Sequence, residues 1–250
     1  MTPTGRADRV LAGGRIGVYR HPLPIRLTHG VNALCLAVLL MSGLQILNAH
    51  PALYFGNTSS FDAPFIAFGN GDSAPFPRWI TLPSWQDLAA GRRWHFFFAW
   101  LWVLNGLVYL GYGLASGRVR HVLLPTRPEL RGIGRSLREH LRLQFPHGEA
   151  ARRYNVLQQL SYLAVVFGLL PLMMLTGLAM SPGMDARLHL LVDLFGGRQS
   201  ARTLHFLAAS ALAAFFLIHM AAVLAAGAAT ELRSIITGWF VIKPTDGAGS

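Results

Sequence analysis

The sequence predicts an all-α integral membrane protein, a bundle of four transmembrane helices with both chain ends in the cytoplasm. Three observations predict it. Only 13% of the 250 residues are charged and 52% are hydrophobic, against about 25% charged in a soluble domain. Four stretches, 27–61, 94–117, 154–184 and 203–230, contain no Asp, Glu, Lys or Arg, and a spanning helix needs roughly 20 such residues. The positive charge is also distributed unevenly between the segments that join them.

The elements follow in order as one membrane domain over 1–250. Residues 1–25 form a cytoplasmic N-terminus. The first span is 26–47, because its apolar run stops near Leu47, before His50-Pro51. Arginines precede it and no small-residue cleavage site follows, so it reads as a retained helix and not a signal peptide. Residues 48–93 make a periplasmic loop with eight aromatic residues between Tyr54 and Trp85. So aromatic a loop is either a cap over the outer end of the bundle or a docking surface for a partner. The second span is 94–115, followed by a basic cytoplasmic loop at 116–154. A third span at 155–179, a periplasmic loop at 180–201 and a fourth span at 202–227 lead to a cytoplasmic C-terminus at 228–250.

Sixteen Lys and Arg flank the spans on the side of the termini and six on the other. This positive-inside bias sets the orientation and predicts a multi-pass protein of the bacterial inner (cytoplasmic) membrane. A net charge of +11 is then explained by topology and by contact with anionic membrane lipid. No nucleic-acid partner is expected.

Ionisable residues inside a membrane are costly and usually functional. Of the ten histidines, four fall within the spans. His29 lies near the cytoplasmic start of the first helix and His95 near the outer start of the second. His205 and His219 lie at the outer and inner ends of the fourth. Fourteen residues advance an α-helix by about 21 Å and about 1400°, some 40° short of four turns, so His205 and His219 share a face at two depths. Depth then pairs His29 with His219, and His95 with His205.

Two imidazoles from facing helices at one depth suit six-coordinate iron in a b-type heme. Zinc normally takes three or four protein ligands in tetrahedral geometry. Proton relays usually recruit Asp or Glu, which these spans lack. Cys35, the only cysteine, cannot form a C-x-x-C-H heme attachment or a cluster, so the expected cofactors are two non-covalent b hemes. Gly43 and Gly106 lie near the faces of His29 and His95, where a missing side chain lets a flat macrocycle approach. Ordinary small-residue helix packing accounts for them equally well.

The stretches RLTHG, RRWHFFFAW and the H-x13-H pair, with the closing SIITGWF, resemble the four-helix diheme cytochrome b subunits of bacterial respiratory enzymes. That group includes the subunits of formate dehydrogenase, nickel–iron hydrogenase and thiosulfate reductase, and the cytochrome b561 proteins. The resemblance spans nearly all of 15–243. It implies ligation of an inner heme by His29 and His219 and of an outer heme by His95 and His205. The 50–95 loop is similar to the cytochrome b/b6-domain branch, which implies service to periplasmic molybdopterin enzymes, among other partners.

Two hemes at two depths make an electron wire across the bilayer, and the protein's part is to hold and tune them. At the inner end Asn155, Gln158 and Gln159 offer hydrogen-bonding groups for a quinone headgroup, and the family carries a similar Y-N-x-x-Q stretch there. A plain polar helix start is the competing explanation. At the outer end Arg92 and Arg93 run against the charge bias, which ion pairs with heme propionates or interfacial snorkelling would explain. The expected function is electron transfer between a periplasmic redox partner subunit and the quinone pool. A stand-alone superoxide:quinone oxidoreductase of the cytochrome b561 type is the alternative.

Overall fold

The computed structural model describes residues 8–11, 14–69, 74–142 and 154–242. It is predominantly helical, with four helices long and apolar enough to cross a membrane. Helix α1 spans Leu23–Asn48, preceded by two short strands, β1 (Arg9–Val10) and β2 (Ile16–Tyr19). Its end is set by Pro51, which cannot continue a helix. Strands β3 (Ala52–Leu53) and β4 (Ile66–Ala67) form a hairpin-like pair in the long loop.

Helix α2 covers Leu88–Ala115 and starts earlier than its charge-free stretch. The reason is Asp87, whose carboxylate accepts from the Ala90 N–H at 2.8 Å and satisfies one of the unpaired donors of the first turn. That hydrogen bond is the main cause holding the Asp87 carboxyl below its ordinary pKa. Helices α3 (Arg127–Arg131) and α4 (Ile133–Leu141) follow a π-helical turn at Val119–Leu123.

The third span is composite: α5 (Val156–Ala164), a π-helical turn at Val165–Leu169, and α6 (Leu170–Ala179). Pro171 explains the interruption, because it lacks the N–H an uninterrupted helix would need there. Short helices α7 (Pro182–Asp185) and α8 (His189–Leu194) lead into α9, Arg198–Thr237, which is broken at Gly227 with φ 106° and ψ 85°. Strand β5 (Trp239–Ile242) ends the described chain.

Two compact units share these helices. The first comprises Met1–Gly30, Gly106–Val165 and Phe216–Ser250. Its distinguishing feature is a three-stranded antiparallel sheet in the order β1-β2-β5, with Ile16 opposite Ile242 and Tyr19 opposite Trp239. The Tyr19 and Trp239 rings lie 5.1 Å apart, and the Arg9 guanidinium sits 4.2 Å over Trp239. Gly238, at φ +87°, makes the turn from α9 into β5, and its carbonyl accepts from the N–H groups of Arg20 and His21. The described residues before the first span, after the fourth, and between the second and third thus belong to one unit.

The second unit comprises Val31–Asn105 and Val166–Phe215, and in it the long aromatic loop is fastened to the helices. Asn48 exchanges two 3.0 Å hydrogen bonds with the Phe76 backbone. Gln45 donates to the Trp85 carbonyl at 2.9 Å. The start of α9 clasps the loop at Gly56: Ser200 Oγ accepts from the Gly56 N–H at 2.8 Å, while the Gln199 and Ser200 N–H groups donate to its carbonyl. Thr203 Oγ1 donates to the Tyr54 carbonyl at 2.5 Å. A small core of Ala179, Val192 and Ala201 packs α8 against α6 and α9. Along the spans Leu34, Trp100, Leu107, Leu217 and Ile218 are exposed, which lipid tolerates and water does not.

Candidate cofactor sites

Each unit holds one pair of imidazoles. In the first, the ring centres of His29 and His219 are 6.5 Å apart with planes at 57°. In the second, those of His95 and His205 are 6.3 Å apart with planes at 62°. A metal held between two imidazole nitrogens by bonds of about 2 Å separates the nitrogens by about 4 Å. Each ring centre lies about 1 Å farther out, given ordinary covalent bond lengths, so the ring centres fall about 6 Å apart. Both pairs have that spacing. Among the described residues no group of three or more His, Cys, Asp or Glu could hold a metal ion. Two protein ligands per centre fit a macrocycle that supplies the remaining four.

The second unit supports its imidazoles with a motif that appears twice. Ser42 Oγ lies 3.0 Å from His95 Nδ1, and Thr176 Oγ1 lies 3.0 Å from His205 Nδ1. The residue after each hydroxyl is a glycine. A Cβ on Gly43 would stand 3.5 Å from His95 Cε1, and one on Gly177 would stand 3.4 Å from His205 Cε1. Gly43 therefore faces an imidazole edge, whereas a Cβ on Gly106 would meet nothing within 4 Å. Ser42, Thr176 and Gly177 escape a reading by residue type, because small residues in a span usually signal helix packing. The repeated hydroxyl–glycine pair, MSGLQ and LTGLA, is the signal that was available.

In the first unit, the amides at the start of the third span are engaged locally. Asn155 is the N-cap of α5: its Oδ1 accepts from the Leu157 N–H at 3.0 Å, and Gln158 Oε1 accepts from the Asn155 N–H at 3.1 Å. This is a reciprocal capping arrangement. Gln159 differs. It is 3% exposed, its Nε2 donates to the Val122 carbonyl at 3.1 Å, and its buried Oε1 has no protein partner. In the same unit, His21 precedes α1. Burial first, then the charges of Arg20 and Arg118, lower its pKa to about 3, so it stays neutral at physiological pH. Arg118 is itself buried. Arg92 and Arg93 in the second unit are exposed, with the Arg92 guanidinium 5.6 Å over the Phe96 ring.

Comparison with known proteins decides the family. The model of prokaryotic cytochrome b561 matches residues 20–238. The chain belongs to the prokaryotic cytochrome b561 family. It is a multi-pass membrane electron-transfer subunit, and membership implies heme b. A relative from Azospira oryzae, described as protein-methionine-sulfoxide reductase subunit YedZ1, is 33% identical over 203 residues, 81% of this chain and 89% of its own. No solved structure matches the cytochrome significantly. The matched range contains all four span histidines, and the donor chemistry of the two imidazole pairs fits the heme that the family implies.

Proposed function

We propose that this cytochrome holds two b hemes, an inner one between His29 and His219 and an outer one between His95 and His205. It carries electrons between the quinone pool and a periplasmic oxidoreductase, as a subunit in the bacterial inner membrane with both termini cytoplasmic. The observation that carries this reading is the pair of imidazole pairs, one per unit, each at the spacing of a bis-imidazole centre. Heme iron held by two imidazoles exchanges single electrons without changing its ligands. The chain's task is to fix both imidazoles, exclude competing ligands and offer a docking place at each end.

At the inner end the quinone site is assigned to the start of the third span. Gln159 Oε1 can accept from a quinol hydroxyl, while Asn155 and Gln158 hold the helix start in place. Gln159→Leu is expected to slow quinol-driven reduction of the inner heme about tenfold, the kinetic equivalent of one good hydrogen bond. Asn155→Leu with Gln158→Leu should slow it too, with about 1 kcal/mol of lost capping as an added cost. Stopped-flow reduction of the purified protein by a soluble quinol reads this directly. Unchanged rates in Gln159→Leu, or a quinone analogue bound beside His95, would refute the placement. Propionate contacts are assigned to Arg92 and Arg93 at the outer heme.

At the outer end the relative's description supports a reductase as partner. Reducing a methionine sulfoxide to the thioether consumes two electrons and two protons and releases water, and a quinol gives up two of each. The docking surface is the aromatic loop: Trp79 is 80% and Trp85 60% exposed, in a loop otherwise fastened to the helices. Replacing both by alanine is expected to weaken partner association about thirtyfold, or about 2 kcal/mol, with both hemes retained. Surface-immobilised binding of the co-purified partner measures it. Heme loss with unchanged binding would show that the loop is a cap.

A further inference from the structure

We infer that Ser42 and Thr176 are positioning residues that fix the tautomer and orientation of both outer ligands and thereby lower the potential of the outer heme. The inference rests on the ligand assignment above and deepens it. Both hydroxyls are fully buried, so their hydrogen-bonding roles can be assigned. Ser42 Oγ donates to the Val38 carbonyl at 2.7 Å, with the Leu39 carbonyl at 3.3 Å. Thr176 Oγ1 donates to the Leu172 carbonyl at 2.6 Å, with the Met173 carbonyl at 3.2 Å. A hydroxyl has one proton, and in each case a backbone carbonyl on its own helix already takes it.

Toward the histidine, then, each hydroxyl oxygen is an acceptor. Nδ1 of His95 and of His205 must carry the proton at the 3.0 Å contact. Nε2 is left with a free lone pair, which is the form a metal requires. At the glycine that follows each hydroxyl a Cβ would stand in ordinary contact, 3.4–3.5 Å from Cε1, so the ring packs edge-on against the helix there, and a side chain larger than that of alanine would displace it.

Back-bonding to the preceding turn is common for Ser and Thr in apolar helices, and one instance would carry little. Here two different helices present the same hydroxyl–glycine pair to two different histidines of one site, at the same distance and to the same nitrogen. An Nδ1–H that donates a hydrogen bond gives the imidazole more anionic character and makes it a stronger donor to the metal. A stronger donor stabilises the ferric over the ferrous state, which lowers the potential. Two such bonds act on one iron.

The test uses the full-length holoprotein with Ser42→Ala, Thr176→Val, their combination, and the conservative Ser42→Thr and Thr176→Ser. Potentiometric titration should show the outer heme's potential rising in each single variant and further in the double. A tenfold loss of preference for the ferric state corresponds to 59 mV for one electron. The inner heme should not move, the low-spin electron paramagnetic resonance signal of the outer heme should shift as its rings are freed, and the conservative variants should restore both readings. If a variant loses the outer heme outright, retention of it by Ser42→Thr or Thr176→Ser, with the inner heme intact throughout, supports the inference. An unmoved outer potential in the double variant, an equal shift of both hemes, or loss that the conservative variants do not repair would overturn it. A wild-type protein with fewer than two hemes would instead defeat the ligand assignment on which the inference rests.

Discussion

Replacing His95 or His205 by alanine is expected to remove one b heme and leave the other with its spectrum unchanged, while His29→Ala or His219→Ala removes the other. The pairing follows from the units themselves: each imidazole pair lies within one unit, at 6.3 Å in the second and 6.5 Å in the first. An alanine would leave a single imidazole of the pair to hold the non-covalent heme, beside its contacts with the helices. The loss should therefore approach completeness in purified protein. Reduced-minus-oxidised difference spectra with heme quantification check it. If His95→Ala and His219→Ala emptied the same site, the assignment would be wrong.

Gly197→Ala is expected to destabilise the second unit by about 2–5 kcal/mol and to lower outer-heme occupancy with it. Gly197 adopts φ +112°, where a Cβ would overlap the Gly56 carbonyl and lie 2.5 Å from Asn57 Oδ1. Neither neighbour can yield easily. The Gly56 carbonyl accepts from the Gln199 and Ser200 N–H groups, and its N–H donates to Ser200 Oγ, so displacing it opens the clasp at the start of α9. The left-handed backbone contributes about 1–2 kcal/mol and the overlap about 1–3. His205 stands two turns along the same helix, so its register depends on that clasp. Thermal unfolding in detergent, followed through the outer-heme spectrum, measures the effect. A wild-type midpoint would show that the clasp carries no stability.

The spans were legible because charge-free runs of sufficient length admit one explanation in a chain this apolar. The proximity of His29 to His219 and of His95 to His205 was legible because helical rise is fixed and the fourth span carries one member of each pair. Helix starts were less so. α2 begins at Leu88 because Asp87 caps it, and α9 begins at Arg198 because Gly56 receives its first N–H groups, a partner some 140 residues away that no local pattern reveals. The sheet was illegible for the same reason: IGVY and WFVI are four-residue strands whose pairing depends on distant register. At the third span, Asn155 and Gln158 show the N-x-x-Q pattern of a capping box, so their local role could be read. The buried, unpartnered Oε1 of Gln159 could not. Ser42 and Thr176 were marked in the sequence only by the repeated hydroxyl–glycine pair, because geometry alone separates a hydroxyl that contacts an imidazole from one that merely packs.

Heme stoichiometry tests the central claim most directly. Full-length protein purified from membranes grown with sufficient heme, denatured and assayed as the pyridine complex against polypeptide measured by amino-acid analysis, should contain two hemes per chain. Both should be extractable by acid–acetone, since Cys35 is the only cysteine and no thioether pair can form. One heme per chain, or heme that stays with the polypeptide after extraction, would contradict the account.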